Sequence, residues 1–323
     1  MKKYVLLNCN GVYSHKLNYL GILEAFEQLK AEGALDFIEV NIGRQDSGEI
    51  EKYNPDWIFV ISPLAAGFRV WKKYRNKKVI CYDTEAIYER LGLDSLPYCD
   101  VMATVDKYGA KIYQDVVNTT GMKCKIYHMP LGFSPSVYKF TDVGEEYKSD
   151  VCIAGVLFDR RRSVLEKLYP LKDKIKLRLI TAKDWANRVI HPDGITYFQR
   201  DVVSPEELNR YYVGSKIILT VNRDYSPANP LGLQSTTPGR VFQETACRRC
   251  TFIDNTRPEI NDYFVDGKEI VTFDMEGNDL VDKVMYYLEH DEEREAIAHN
   301  GCVRTMNENT YKHRITKLLE ALP

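Results

Sequence analysis

Three groups of residues in this 323-residue chain have the types and spacing to hold an anionic ligand. The first lies in residues 234–254, which read Gln-Ser-Thr-Thr-Pro-Gly-Arg-Val-Phe-Gln-Glu-Thr-Ala-Cys-Arg-Arg-Cys-Thr-Phe-Ile-Asp. Hydroxyls at Ser235, Thr236 and Thr237 precede Pro238, and proline suits the first position of a helix. The spacing predicts a helix over 238–249 running into a short strand over 251–253. Bare N–H groups and the positive dipole end at that start, with Gly239 and the Arg240 guanidinium, suit a diphosphate. Glu244, one turn further in, could accept hydrogen bonds from a ribose diol. An ordinary capped helix would carry the same signals.

The second group is Gly155 followed, after four residues, by Arg160-Arg161-Arg162. Guanidiniums at a helix start oppose the positive end of the dipole, so the trio reads as an anion site with Arg161 at its centre. The third is Asp83-Thr84-Glu85, at the end of a strand over 78–82. Asp83 could hold substrate hydroxyls or act as a base; equally, Asp83 or Thr84 could cap the next helix. Asn10-Gly11 and Asn222-Arg223-Asp224 also follow strands, where open parallel sheets bind ligands. Gly11 would let its loop approach a ligand closely, and Asn222 could touch the same molecule. His15 and His128 lie near strand edges and read more readily as structural than catalytic.

Other chemistries lack their motifs. The three spaced glycines of dinucleotide-binding folds are missing, as is the P-loop pattern. Cys247 and Cys250 have the spacing of a redox or zinc pair, yet no second Cys or His pair stands at a finger-like distance. They read as helix packing.

The elements that must position these residues follow a βα rhythm. Strands are expected over 4–9, 37–41, 57–61, 78–82, 101–105 and 126–129, with a helix over 13–31 and helical or polar connections between the rest. Residues 130–135 and the charged run 141–150 read as a linker. The rhythm then restarts: strands over 150–154, 176–180, 195–198, 216–221, 251–253 and 269–273. Helices are expected over 159–168, 204–213, 277–290, 292–299 and 311–322. Ser204-Pro205-Glu206-Glu207 has the cap, the proline and the acids of a helix start.

Composition limits the partners. With 44% hydrophobic and 28% charged residues the chain reads as soluble and globular, and its net charge of -2 makes no electrostatic case for nucleic acid or an anionic membrane. No apolar window is long enough to span a bilayer, and the apolar run near the N-terminus is too short for a signal peptide. Eight scattered cysteines, mostly within apolar runs, fit a reduced, cytoplasmic protein.

The second half resembles the glycosyltransferase family typified by spore maturation protein CgeB. The similarity is carried by Val151–Gly155 with Arg161, by residues 212–222, by the run Pro238-Gly-Arg-Val-Phe-Gln-Glu-Thr-Ala-Cys247 and by residues 252–264. It continues through 266–271, 286–288, 294–301 and 310–314, and thins in the first half to Asp83, residues 100–104 and residues 129–135. The resemblance implies a GT-B fold: two Rossmann-like α/β domains facing across a cleft, here residues 1–145 and 146–305, with 306–323 crossing back onto the first. It implies a UDP-sugar as donor bound by the second domain, a hydroxyl acceptor on the first, no metal and no other cofactor. Arg161 and Arg240 would match groups on the diphosphate and Glu244 the ribose carboxylate; residues 199–203 are the expected base pocket. Related retaining enzymes carry a second Glu eight residues before the ribose carboxylate, where this chain has Thr236. A nucleotide-sugar 2-epimerase and a non-catalytic nucleotide-sugar-binding protein are the alternative readings.

Overall fold

The computed structural model describes residues 1–8, 13–41, 48–61, 76–84, 90–199, 203–223 and 236–322. The chain divides into two compact units. The first comprises residues 1–134, 227–236 and 310–323, and the second comprises 135–226 and 237–309.

Unit one is built on six parallel strands: β1 (Lys2–Asn8), β2 (Leu35–Asn41), β3 (Trp57–Ile61), β4 (Lys78–Asp83), β5 (Val101–Thr104) and β6 (Lys125–His128), in the order β2-β1-β3-β4-β5-β6. Its helices are α1 (Tyr13–Ala31), α2 (Glu49–Tyr53), α3 (Arg90–Ser95) and α4 (Lys107–Thr120). Strand β3 is buried at every position, as a parallel sheet covered on both faces requires. One face carries the cluster around Tyr4, Phe26, Phe59 and Tyr82; the other carries Ile58, Val60, Met102 and Tyr113. Asp106 caps α4, its carboxylate accepting from Gly109 N–H at 3.0 Å.

Unit two repeats the plan with β7 (Ser149–Ala154), β8 (Leu177–Ile180), β9 (Tyr197–Gln199), β10 (Ser215–Thr220), β11 (Cys250–Asp254) and β12 (Val271–Phe273). Their order is β12-β11-β10-β7-β8-β9, all parallel. Counted within the unit this is 3-2-1-4-5-6 read from the other edge, the doubly wound order, and it reverses direction between β7 and β10. Its helices are α5 (Asp159–Lys167), α6 (Lys183–Ala186), α7 (Pro205–Gly214), α8 (Gly239–Ala246), α9 (Ile260–Tyr263), α10 (Leu280–Glu289) and α11 (Asp291–Glu308). Ser204 caps α7 as its residue pattern predicts, accepting from Glu207 N–H at 3.1 Å.

The chain ends on α12 (Tyr311–Glu320), which belongs to unit one. The buried Tyr311 donates to Asn18 Oδ1 at 2.8 Å, and Phe133 pairs with Thr310 as an isolated bridge.

Several local expectations change. Pro238 is the cap residue of α8 rather than its first helical residue. No hydroxyl caps that helix. Thr236 instead donates to the Asp106 carboxylate at 2.8 Å, and the Thr237 hydroxyl is buried without a hydrogen-bond partner. α8 stops at Ala246, not 249, because Arg248 turns into the left-handed region at φ 54°, a place glycine usually takes after a helix. The helix expected over 292–299 extends as Asp291–Glu308. The connections over 62–75 and 85–89 and the base-pocket residues 200–202 lie outside the described residues.

Candidate functional site

The reversal point between β7 and β10 gathers most of the residues singled out above. After β7 the chain turns at Gly155, whose φ of 116° is a conformation that a side chain would strain. A carbon added there would sit 2.8 Å from Arg240 Nη1 and 2.9 Å from Arg161 Nη1. The turn therefore brings main chain directly beneath two guanidiniums, one from α5 and one from α8.

The arginine trio splits three ways. Arg160 leaves the site and pairs with the buried Asp254 at 3.1 Å while donating to Met275 O. Arg162 pairs with its own helix neighbour Asp159. Arg161 alone turns inward and is 6% exposed. Its Nη2 and Nε donate to Val221 O at 2.7 and 3.3 Å, and its Nη1 donates to Val156 O. Those carbonyls end β10 and the β7 turn, so the side chain clamps the two strand ends on either side of the reversal point. Burial, with the Arg240 charge beside it, pushes the Arg161 guanidinium well below the usual arginine value. An arginine stays charged, so this unfavourable setting becomes an affinity for an anion.

Arg240 sits in the first turn of α8 and donates to Ala154 O. Gly239 precedes it as the first helical residue and is buried. Glu244 lies four residues on from Arg240 but points into the unit, 1% exposed. Both carboxylate oxygens meet Thr220 Oγ1 on β10, at 2.5 and 2.7 Å. Burial pushes its carboxyl up to about 7, while Arg240, Thr220 and Arg161 act in the opposite sense. The carboxylate that the sequence pattern assigns to a ribose diol is held by Thr220 of the neighbouring strand.

Asn222 is likewise engaged inward. Its side-chain amide donates to Asp254 Oδ1 at 3.0 Å and Thr256 Oγ1 at 3.2 Å, and its backbone N–H donates to the Asp254 carboxylate. These contacts pin the end of β10 to β11. Asp83 belongs to unit one and accepts from the buried Tyr113 hydroxyl at 2.7 Å, tying β4 to α4. His128 sits 3.3 Å from Val105 O through Nε2. Gly11 and the His15 side chain lie outside the described residues. The Cys247 thiol is 3.0 Å from Asn209 Oδ1, inside the packing of α8 against α7.

Three participants were not legible in the residue pattern. Thr220 holds Glu244; Val221 holds Arg161 through a carbonyl that has no sequence signature. Phe158 lies 5.8 Å from the Arg161 guanidinium and 4.7 Å from that of Arg223, ring centroid to carbon, adding a cation–π contact to each. Only the run Phe158-Asp-Arg-Arg, an aromatic beside basic residues, hinted at it.

Residues 160–320 match the glycosyl transferase-like family model, which thus takes in both arginines. The spore protein CgeB of Bacillus subtilis (strain 168) is 22% identical over 281 residues, 84% of each chain. Among solved structures, Anabaena HepE in complex with UDP and glucose superposes with a TM-score of 0.67 at 10% identity over 100% of both chains. Sucrose-phosphate synthase of Thermosynechococcus elongatus gives a TM-score of 0.68 at 10% identity, covering 99% of this chain and 98% of its own.

Proposed function

We propose that this chain, which belongs to the CgeB-like glycosyltransferases of GT-B architecture, moves a sugar from a UDP-linked donor to a hydroxyl acceptor. The observation that carries the reading is the convergence of Arg161 and Arg240 above Gly155 at the reversal point of unit two. HepE, similar in fold, is a UDP and glucose complex, which supports a uridine diphosphate donor.

Sugar transfer breaks the bond between the anomeric carbon and the diphosphate, leaving UDP with an additional negative charge. Two guanidiniums and the N–H groups at the start of α8 supply positive charge where that charge develops, without reorganising. Arg161 is pre-set by its carbonyl clamps, so little side-chain entropy is lost when the diphosphate docks. Arg240 completes the pair. Gly155 gives the phosphates access to main chain. Glu244 interacts electrostatically with both arginines and is assigned to the ribose.

With charge stabilisation supplied this way, transfer proceeds without a divalent metal. In a retaining course a diphosphate oxygen takes the proton of the acceptor hydroxyl as that oxygen bonds to the anomeric carbon, so no protein base is required. Asp83 in unit one is assigned to acceptor contact, and Gly11 to the approach of its loop to the donor.

The test is a calorimetric screen of nucleotide sugars followed by measurement of UDP release in excess chelator. UDP-sugars should bind and release UDP slowly to water. Binding without any UDP release would leave a non-catalytic donor-binding protein, and no preference for uridine would sink the donor assignment.

A further inference from the structure

Unit one carries a second feature with chemistry of its own. Cys99 lies two residues before β5 and Cys124 directly before β6, neighbouring strands in parallel register with Val101 opposite Lys125. The two sulfurs are 3.5 Å apart, in hydrogen-bond contact. Each residue is mostly buried, yet both line a groove of about 640 Å³ together with Lys77, Tyr98, Met122 and Lys123. Most other cysteines of the described residues have no such approach: Cys152, Cys247 and Cys250 are buried in unit two.

We propose that Cys99 and Cys124 are a dithiol that a peroxide or a small-molecule disulfide reaches through this groove and converts to a disulfide. With a peroxide, one sulfur takes an oxygen and releases water. The second sulfur then displaces hydroxide from the first, and a second water forms; both sulfurs are oxidised and the peroxide is reduced. With a small disulfide, the first thiolate displaces one half and the second displaces the other, so two small thiols leave. The sulfurs must close by about 1.5 Å to reach bonding distance of about 2.05 Å, a movement that side-chain rotation and slight backbone adjustment can supply.

Burial and the hydrogen bond to Cys124 hold the Cys99 thiol well above its ordinary value, with the hydrogen bond the larger cause. Cys99 is therefore held as the thiol at neutral pH and reacts slowly with oxidants. The consequence is mechanical. A bond between these residues closes a loop holding β5 and α4, and α4 carries Tyr113, the partner of Asp83, and is capped by Asp106, the partner of Thr236. Oxidation would lock that hydrogen-bonded corner of unit one in place.

The experiment treats the full-length chain with hydrogen peroxide or oxidised glutathione, blocks remaining thiols, and maps unreduced peptides by mass spectrometry. The expected product links the peptide of Cys99 to that of Cys124, lighter by two hydrogens than the separate pair. It reverts with dithiothreitol, is absent in Cys124→Ser and persists in Cys302→Ser, while the oxidised wild type melts about 5 °C or more higher. A stable mixed disulfide or sulfinic acid on one cysteine, a link to the neighbouring Cys81, or no linked peptide would each overturn the proposal. Because the mapping is made on the wild-type chain, a poorly folding variant does not decide the outcome.

Discussion

The guanidiniums of Arg161 and Arg240 converge on the Gly155 turn, one from α5 and one from α8.

 A carbon added at Gly155 would lie 2.8 Å from an Arg240 nitrogen and 2.9 Å from an Arg161 nitrogen. Two like charges held this close repel by a few kcal/mol at an effective dielectric of about 20, and a bound dianion removes that cost.

Gly155→Ala should therefore damage the site directly. The added carbon meets both guanidiniums, and the φ of 116° is strained for any side chain. UDP affinity should fall about tenfold or more, with stability reduced by about 1–3 kcal/mol. Calorimetry and thermal melting read the two effects; unchanged affinity would remove the Gly155 turn from the donor site.

Arg240→Met separates binding from stability. It deletes a charge-assisted contact to the diphosphate, costing about 1.5–3 kcal/mol of affinity, roughly ten- to a hundredfold. It also relieves Arg161 of a like-charged neighbour, so the ligand-free melting temperature should hold or rise. A fall in stability with UDP affinity intact would contradict the assignment.

Glu244 makes stability depend on pH. Its folded value, about 7, lies above the ordinary 4.5, so the folded chain holds this proton more tightly than the unfolded one. Its contribution is thus fully present below about pH 4.5 and is lost as pH rises through about 7. The loss is on the order of 3 kcal/mol. Glu244→Gln should flatten this part of the stability profile in denaturant titrations between pH 5 and pH 8. Unchanged UDP affinity in the same variant would remove the carboxylate from the ribose.

Tyr113→Phe tests whether Asp83 is structural. Removing the hydroxyl that donates to Asp83 should cost about 1–3 kcal/mol, read as a lower melting temperature. UDP affinity should not change, because donor binding is assigned to unit two. If Asp83 also contacts the acceptor, Asp83→Asn should lower kcat/KM further than Tyr113→Phe does; equal effects would leave Asp83 a purely structural residue.

Residue order alone determined the alternation of strands and helices in both units and marked Arg161 and Arg240 as candidate anion-binding groups. Buried parallel strands must be apolar runs, and helix starts carry local caps, so both leave marks in neighbouring residues. The direction in which each polar side chain is spent could not be read that way. Arg160, Arg161 and Arg162 are adjacent in sequence, yet they reach Asp254, Val221 and Asp159 respectively. Glu244 and Asn222 have the right types at the right strand and helix ends, but Thr220 and Asp254 take their hydrogen bonds. Which partner wins depends on groups brought together from distant parts of the chain, several of them main-chain carbonyls with no residue signature. The tertiary structure decided that, because a buried polar group must find its partner wherever the packing places one.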